Sequence, residues 1–216
     1  MGESPTGNRR SESGFGLVEI MKPNRNTKRS GHSLVELSIV VAVVLILGAL
    51  TIPNVANALA NIRLRGAASN FAGLAQQARI TAVKRNAVFT VRFGVPSGHG
   101  AYIDLNNNSS YDTGEPLIQF SGNANQVAAP GGASGAPANL DATSTPLGWT
   151  ATSGNVSFNS RGLTCDVTVT PCGTNVNYLF YFQDTRIFGG HGWAAVSITA
   201  AARVKVWFWD GFNWIN

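Results

Sequence analysis

Between His32 and Ile52 the chain carries a single charge, the carboxylate of Glu36, in a run otherwise built of apolar residues with Ser33, Ser38 and Thr51. An ionised group costs roughly 3 kcal/mol at the centre of a membrane-length helix, so a carboxylate kept there calls for a partner of opposite charge. A second set of candidates is Asp104, Asn106, Asn108, Ser110, Asp112 and Glu115. Counted from Asp104, these oxygen donors fall at the offsets of a twelve-residue calcium loop. The sixth place, normally glycine, is Ser109, and the flanks read as strands. The same residue types also build self-capped turns without an ion, so a structural calcium and a metal-free turn both stand open. Cys165 and Cys172 lack C-x2-C spacing and a flanking histidine, which points to a small disulfide loop. Closing a loop this short stabilises by at most about 3 kcal/mol. Near the C-terminus, strand alternation puts Arg203, Lys205, Trp207 and Trp209 on one face and Val204, Val206 and Phe208 on the other. Cations beside flat aromatics suit single-stranded nucleic acid, through phosphate contacts and base stacking. The competing reading buries the tryptophans against a helix or a neighbouring chain. His32, His99 and His191 enter no Ser-His-Asp or paired-carboxylate pattern, so the chain reads as non-enzymatic, with no cofactor beyond the calcium alternative.

The element that must position Glu36 is a helix. From His32 to Ile52 it rises about 30 Å, enough to cross a bilayer core. Lys22, Arg25, Lys28 and Arg29 lie just upstream and hold that end on the cytoplasmic side, which places the rest of the chain outside. A secretory signal peptide cleaved at Ala56-Asn57-Ala58 and a simple one-span anchor are the ordinary alternatives. The run is longer than a usual signal core, and neither alternative gives Glu36 a task. Val55, Leu59, Ile62, Phe71, Leu74, Ala78 and Val83 keep roughly helical spacing, so the helix is expected to continue to about Asn86. Pro53 bends or opens it, because proline lacks the N–H and crowds the preceding turn. Arg63, Arg65, Arg79, Lys84 and Arg85 read as a solvated face or a contact with another subunit.

Past the helix, strands are expected at Val88–Phe93, Ala101–Asp104, Pro116–Phe120, Val156–Phe158, Val167–Val169, Asn177–Phe182, Ala194–Thr199 and Arg203–Trp209, with Asp210-Gly211 as a two-residue hairpin turn. The stretch 122–148, rich in Gly, Ala, Pro, Asn and Ser, is expected to be a flexible surface loop. With 24 glycines and 12% charged residues in 216, the chain suits one loop-rich β domain beyond the helix. Residues 1–31 hold six Lys/Arg and three Glu, so they supply +3 of the net +5, and the remainder carries only +2. The basic balance is therefore mostly a property of the leader.

Gly31, the following His32-Ser33-Leu34-Val35-Glu36, the long apolar run and Pro53 together resemble the type IV prepilin signature. The resemblance implies cleavage after Gly31 by a prepilin peptidase, N-methylation of the new terminus at His32, and pairing of Glu36 with the terminal amine of a neighbouring subunit in a filament. His32 stands where the family usually has Phe or Met. A near-copy of the site, Gly14-Phe15-Gly16-Leu17-Val18-Glu19, is followed by Lys22-Pro23 and no apolar helix, and reads as a decoy. Translation from Met21 leaves a short basic leader ending at Gly31.

The segment Tyr102–Ile118 is similar to a strand-loop-strand motif of the GspH/FimT pseudopilins, and Val156–Gly162 resembles their F-x-x-x-G turn. Ala202-Arg203-Val204-Lys205 resembles their Gly-Arg-x-Arg element, with Ala202 for the glycine and Lys205 for the second arginine. The resemblance covers most of residues 31–206. It implies an α+β, type IV pilin-like fold, a long N-terminal transmembrane helix packed on a β-rich C-terminal domain. The expected division is a leader at 1–31, a transmembrane or filament-core helix at 32–53, its periplasmic continuation at 54–87 and a globular domain at 88–216. It also implies a minor pilin or pseudopilin of a type II secretion pseudopilus or type IV pilus, single-pass in a bacterial inner membrane with its C-terminal domain in the periplasm, and part of a filament after assembly. The implied partners are other pilins, the prepilin peptidase/N-methyltransferase and an inner-membrane assembly platform. An alternative from the same family is a FimT-like DNA-uptake or adhesion tip module, with Arg203, Lys205, Trp207 and Trp209 as its nucleic-acid face.

Overall fold

A computed structural model describes residues 31, 33–95, 99–130, 137–138, 140, 150–151, 154–168, 172–173, 176–186 and 192–216. The leader and His32 thus lie outside the described residues, apart from Gly31. The chain divides into two compact units, residues 1–44 and 45–216.

In the first unit, α1 (Leu34–Arg85) begins. Ser33 caps it: the Ser33 hydroxyl accepts the Val35 N–H at 3.3 Å, and its carbonyl accepts the first helical bond, from Leu37 N–H at 3.1 Å. Leu34, Val35, Leu37, Ile39, Val40, Val41 and Val43 are all exposed, at 49% or more. Among the described residues α1 is the one helix long and apolar enough to cross a membrane.

In the second unit α1 continues to Arg85 and is assigned helical through Pro53. It ends in a Schellman-type cap: the Ala87 N–H reaches the Ala82 carbonyl at 3.1 Å, the Asn86 N–H reaches Val83 at 3.3 Å, and Asn86 takes φ +51°. Its buried stripe is Ala60, Leu64, Ala67, Ala68, Phe71, Ala72, Leu74, Ala75, Ala78 and Ala82. The stripe differs from the expected one, since Val55, Leu59, Ile62 and Val83 are exposed. Alanine does the packing because its small side chain brings the helix backbone close to the strands, which the larger residues do not allow.

Two antiparallel sheets pack with this helix. The first has the order β3-β2-β1-β6-β7, from β1 (Phe89–Phe93), β2 (Gly100–Asp104), β3 (Leu117–Gln119), β6 (Val156–Phe158) and β7 (Thr164–Cys165). The second has the order β11-β10-β9-β8-β4, from β4 (Ala124–Val127), β8 (Tyr178–Asp184), β9 (Trp193–Ile198), β10 (Val204–Trp209) and β11 (Trp214–Ile215), with β5 (Thr150–Ala151) pairing β8 in parallel. Alternation assigns every side chain a face. Phe180, Phe182, Ala194, Val196 and Ile198 join Phe89, Val91, Ala101, Ile103, Val156 and Phe158 in the core with the helix. Phe71 sits at its centre, with ring centroids 4.8 Å from Phe93, 4.9 Å from Phe180 and 5.5 Å from Phe182. The other face of the second sheet forms a separate apolar cluster of Leu140, Leu179, Tyr181, Trp193 and Ala195, with Val127, Trp207, Trp209 and Trp214 against it.

Three strand-level expectations are corrected. Residues 124–127, expected within a flexible loop at 122–148, form β4 and pair with β8, and Leu140 is buried with its N–H donated to the Tyr181 hydroxyl at 2.9 Å. Polar composition hid these residues because they cover an apolar sheet face that alternation alone does not reveal. Val167 and Thr168 lie in a turn, and the strand is Thr164–Cys165, because the Asp166 side chain caps the Thr168 N–H at 2.9 Å. The turn after β10 spans four residues, since Asp210 N–H meets the Asn213 carbonyl at 3.1 Å and the Asp210 carboxylate accepts the N–H groups of Phe212 and Asn213.

Candidate functional site

Glu36 lies in the first turn of α1, three residues after the Ser33 cap, and is exposed. Ser33-Leu34-Val35-Glu36 therefore has the residue order of a capping box. A carboxylate at this place also complements the partial positive charge of the helix N-terminus. Glu36 is thus presented at the start of an uncovered apolar surface, with a local helix-starting role besides any pairing across subunits. Gly31 is exposed just ahead of this cap. His32 and the side chain of Pro53 lie outside what the structure describes.

The Asp104–Glu115 loop folds over the outer face of the first sheet. Arg92 stands opposite Tyr102 in the β1–β2 register, so Asp104, two residues on, is its diagonal neighbour on the same face. The Arg92 Nε donates to Asp104 Oδ2 at 2.6 Å, and the Ser109 N–H donates to the same oxygen at 2.9 Å. Glu115 Oε1 accepts the Leu105 N–H at 2.7 Å, and Oε2 accepts the Asp112 N–H at 3.0 Å. Asp112 Oδ2 accepts the side-chain amides of Asn106 and Asn108, at 2.7 and 2.6 Å. Tyr111 covers Tyr102 edge-on, and burial pushes the Tyr102 hydroxyl pKa up, with the Asp104 charge adding to it. Donor hydrogens face most of the oxygens that calcium would need, Asp104 Oδ1 excepted, and among the described residues no group of three His, Cys, Asp or Glu side chains is placed to hold an ion. In this arrangement Asp104, Asn106, Asn108, Asp112 and Glu115 are engaged in the hydrogen bonds of a self-capped loop.

Cys165 and Cys172 are joined, with Cα atoms 5.6 Å apart. The Tyr178 hydroxyl donates to the Cys165 carbonyl at 2.9 Å, and burial, with the nearby Asp166 charge, raises its pKa to about 12. Two turns meet the helix beside this clip. Arg79 donates from Nε to the Gly162 carbonyl at 3.0 Å and from Nη1 to the Ala202 carbonyl at 3.4 Å. Gly162 (φ +75°) and Ala202 (φ +57°) both lie in the left-handed region, the conformation for which glycine is favoured at such turns. Sequence inspection had no means of seeing that one arginine ties both motifs, which are 40 residues apart in number (162 and 202), to the helix.

On β10, alternation places Val204, Val206 and Phe208 against the main core, with the Arg65 guanidinium 4.6 Å from the Phe208 ring centre. Lys205, Trp207 and Trp209 take the opposite face. Lys205 Nζ lies 4.9 Å from the Trp207 ring centre, Trp207 Nε1 donates to Ser197 Oγ at 2.9 Å, and the Trp209 and Trp214 rings are 5.5 Å apart. Trp214 Nε1 donates to the Ala138 carbonyl at 2.9 Å. The tryptophans are half-buried in the second apolar cluster, where their faces meet protein, while Arg203 is exposed. The structure gathers Lys205, Trp207 and Trp209 on one face of the second sheet, with the two tryptophans against the second cluster.

The family described as type II transport protein GspH matches residues 67–199, more than half of the 216-residue chain. Two crystal structures of the type IV minor pilin FimU from Pseudomonas aeruginosa are similar to it at 17% identity, with TM-scores of 0.40 and 0.38; each alignment covers 66% of this chain, and 87% and 90% of the respective FimU chains. No curated protein matches the sequence.

Proposed function

The chain belongs to the family of the type II transport protein GspH, and from that premise we propose that it is a non-enzymatic minor pilin or pseudopilin, cleaved after Gly31 and assembled through its N-terminal helix. The observation that carries this reading is the exposed apolar start of α1, with Glu36 in its capped first turn. A surface of that kind is stable only in lipid or against like helices. The two environments correspond to the two stages of a filament subunit, anchored in the inner membrane before assembly and packed among other pilins after it. In this reading Glu36 pairs with the amine of a neighbouring subunit, which offsets the cost of its charge in an apolar setting. The β-rich domain lies in the periplasm, where its disulfide is stable. The prepilin peptidase and an assembly platform in the membrane are the processing and mounting partners. The DNA-uptake alternative would use Arg203, Lys205, Trp207 and Trp209, of which the two tryptophans are partly buried against the second cluster.

Mass spectrometry of the mature N-terminus, in cells with and without a prepilin peptidase, tests the reading. The expected product begins at His32 and appears only with the peptidase. A start near Leu59, or an uncleaved chain in both strains, overturns the assignment.

A further inference from the structure

We propose that Arg92 is the built-in counter-cation of the Asp104–Glu115 loop and makes that loop independent of calcium in spite of its ligand spacing. Asp104 is fully buried, and its Oδ1 has no hydrogen-bond partner among the described residues. A buried carboxylate in this state needs a positive charge close by. Arg92 supplies one at 2.6 Å, from a guanidinium that is itself only 20% exposed. The β1–β2 register holds the two side chains diagonally on one face, so the charge comes from the scaffold and not from solution.

The rest of the loop is arranged around that substitution. Asn106 Oδ1 accepts the Asn108 N–H at 3.1 Å, and Asn108 Oδ1 accepts the Ser110 N–H at 2.8 Å. These are the two amide oxygens that an ion would claim at the third and fifth places of the loop. Their Nδ2 ends both point at Asp112. An ion entering here would have to share the oxygens of Asn106, Asn108, Asp112 and Glu115 with the hydrogen bonds they already accept. Asn107 and Ser109 take φ +58° and +67°, so the chain makes the sharp turn for which the calcium loop uses glycine without having one. The inference does not depend on filament assembly.

Thermal unfolding of the full chain in detergent, in calcium and in chelator, tests the proposal, together with terbium luminescence excited through the nearby Tyr102 and Tyr111. The wild type is expected to unfold at the same temperature in both solutions and to give no calcium-quenched terbium emission. Arg92→Gln is expected to lower the unfolding temperature by roughly 5 °C or more, and Arg92→Lys to recover most of that shift. A wild-type unfolding temperature that rises with calcium overturns the proposal, and that measurement decides even if Arg92→Gln does not fold. Arg92→Lys falling as far as Arg92→Gln also overturns it, because the contact would then be one of shape and not of charge.

Discussion

The Asp184 side chain is buried at the end of β8 and is held by Arg186, through Nε at 3.1 Å and Nη2 at 2.8 Å, with the Arg186 N–H adding a third bond at 3.0 Å. Burial by itself raises the Asp184 pKa, but the Arg186 hydrogen bonds and charge, with a smaller contribution from Arg63, outweigh it and hold the carboxyl below its ordinary range. A carboxyl depressed on folding contributes stability that is present above its unfolded pKa, near 4, and is lost as pH falls through the lower folded value. Wild-type stability is therefore expected to drop below about pH 4. Asp184→Asn should be less stable at neutral pH, with a shallower loss on acidification; urea midpoints across the acid range check this. Residues of this kind were invisible in the sequence. Asp184 and Arg186 are two apart on a chain where neither spacing nor type marks them, and burial alone makes the pair matter.

At the scale of elements, the joint between α1 and the sheets is made mostly of alanine, with Leu64, Leu74 and, at its centre, Phe71 set into it. Phe71 is fully buried and touches Phe93, Phe180 and Phe182 from both sheets. Phe71→Ala leaves a cavity that neighbouring alanines cannot fill, so a loss of about 3–5 kcal/mol is expected by chemical denaturation. The same truncation at exposed Ile62 should cost little, less than about 0.5 kcal/mol. Helical periodicity announced this helix, yet it selected Ile62 and Val83 for the stripe together with Phe71. Hydrophobicity ranks isoleucine above alanine, while the buried stripe is mainly alanine, with Leu64, Leu74 and Phe71 as its larger residues. The strands were legible where apolar and polar residues alternate, as in β1, β2 and β10. They were obscure in β4 and β7, which are short edge strands drawn into place by their neighbours.

For the molecule as a whole, a capping role for Glu36 and the proposed pairing across subunits point to different experiments. Starting the helix needs a side chain that can complete the capping box with Ser33, and glutamine serves as well as glutamate. Pairing with a neighbour's amine needs the charge. Glu36→Gln and Glu36→Ala are both expected to be cleaved normally and to enter filaments several-fold less than wild type, as measured by immunoblotting of sheared filaments. Wild-type incorporation of Glu36→Gln would assign Glu36 to the cap and remove its role between subunits. The two substitutions thus separate a local from an intermolecular effect, which cleavage data cannot do.

The sequence by itself determined the family-level reading: a lone carboxylate after a basic leader, a membrane-length apolar run, a helix continuing to about Asn86 and an alternating β region. Each is a local or periodic signal, carried by residues close in the chain, and needs no knowledge of what lies opposite. Tertiary structure alone decided the fate of the Asp104–Glu115 oxygens and of the C-terminal tryptophans. The spacing of the first allowed an ion or a turn, and only the fold brings Arg92, from another strand, onto Asp104. The alternation of the second allowed an open face or a covered one, and the fold packs Trp207 and Trp209 against the cluster that holds Leu140 and Tyr181. In both cases the outcome rests on a contact between residues distant in sequence, and spacing along one segment carries no information about such a contact.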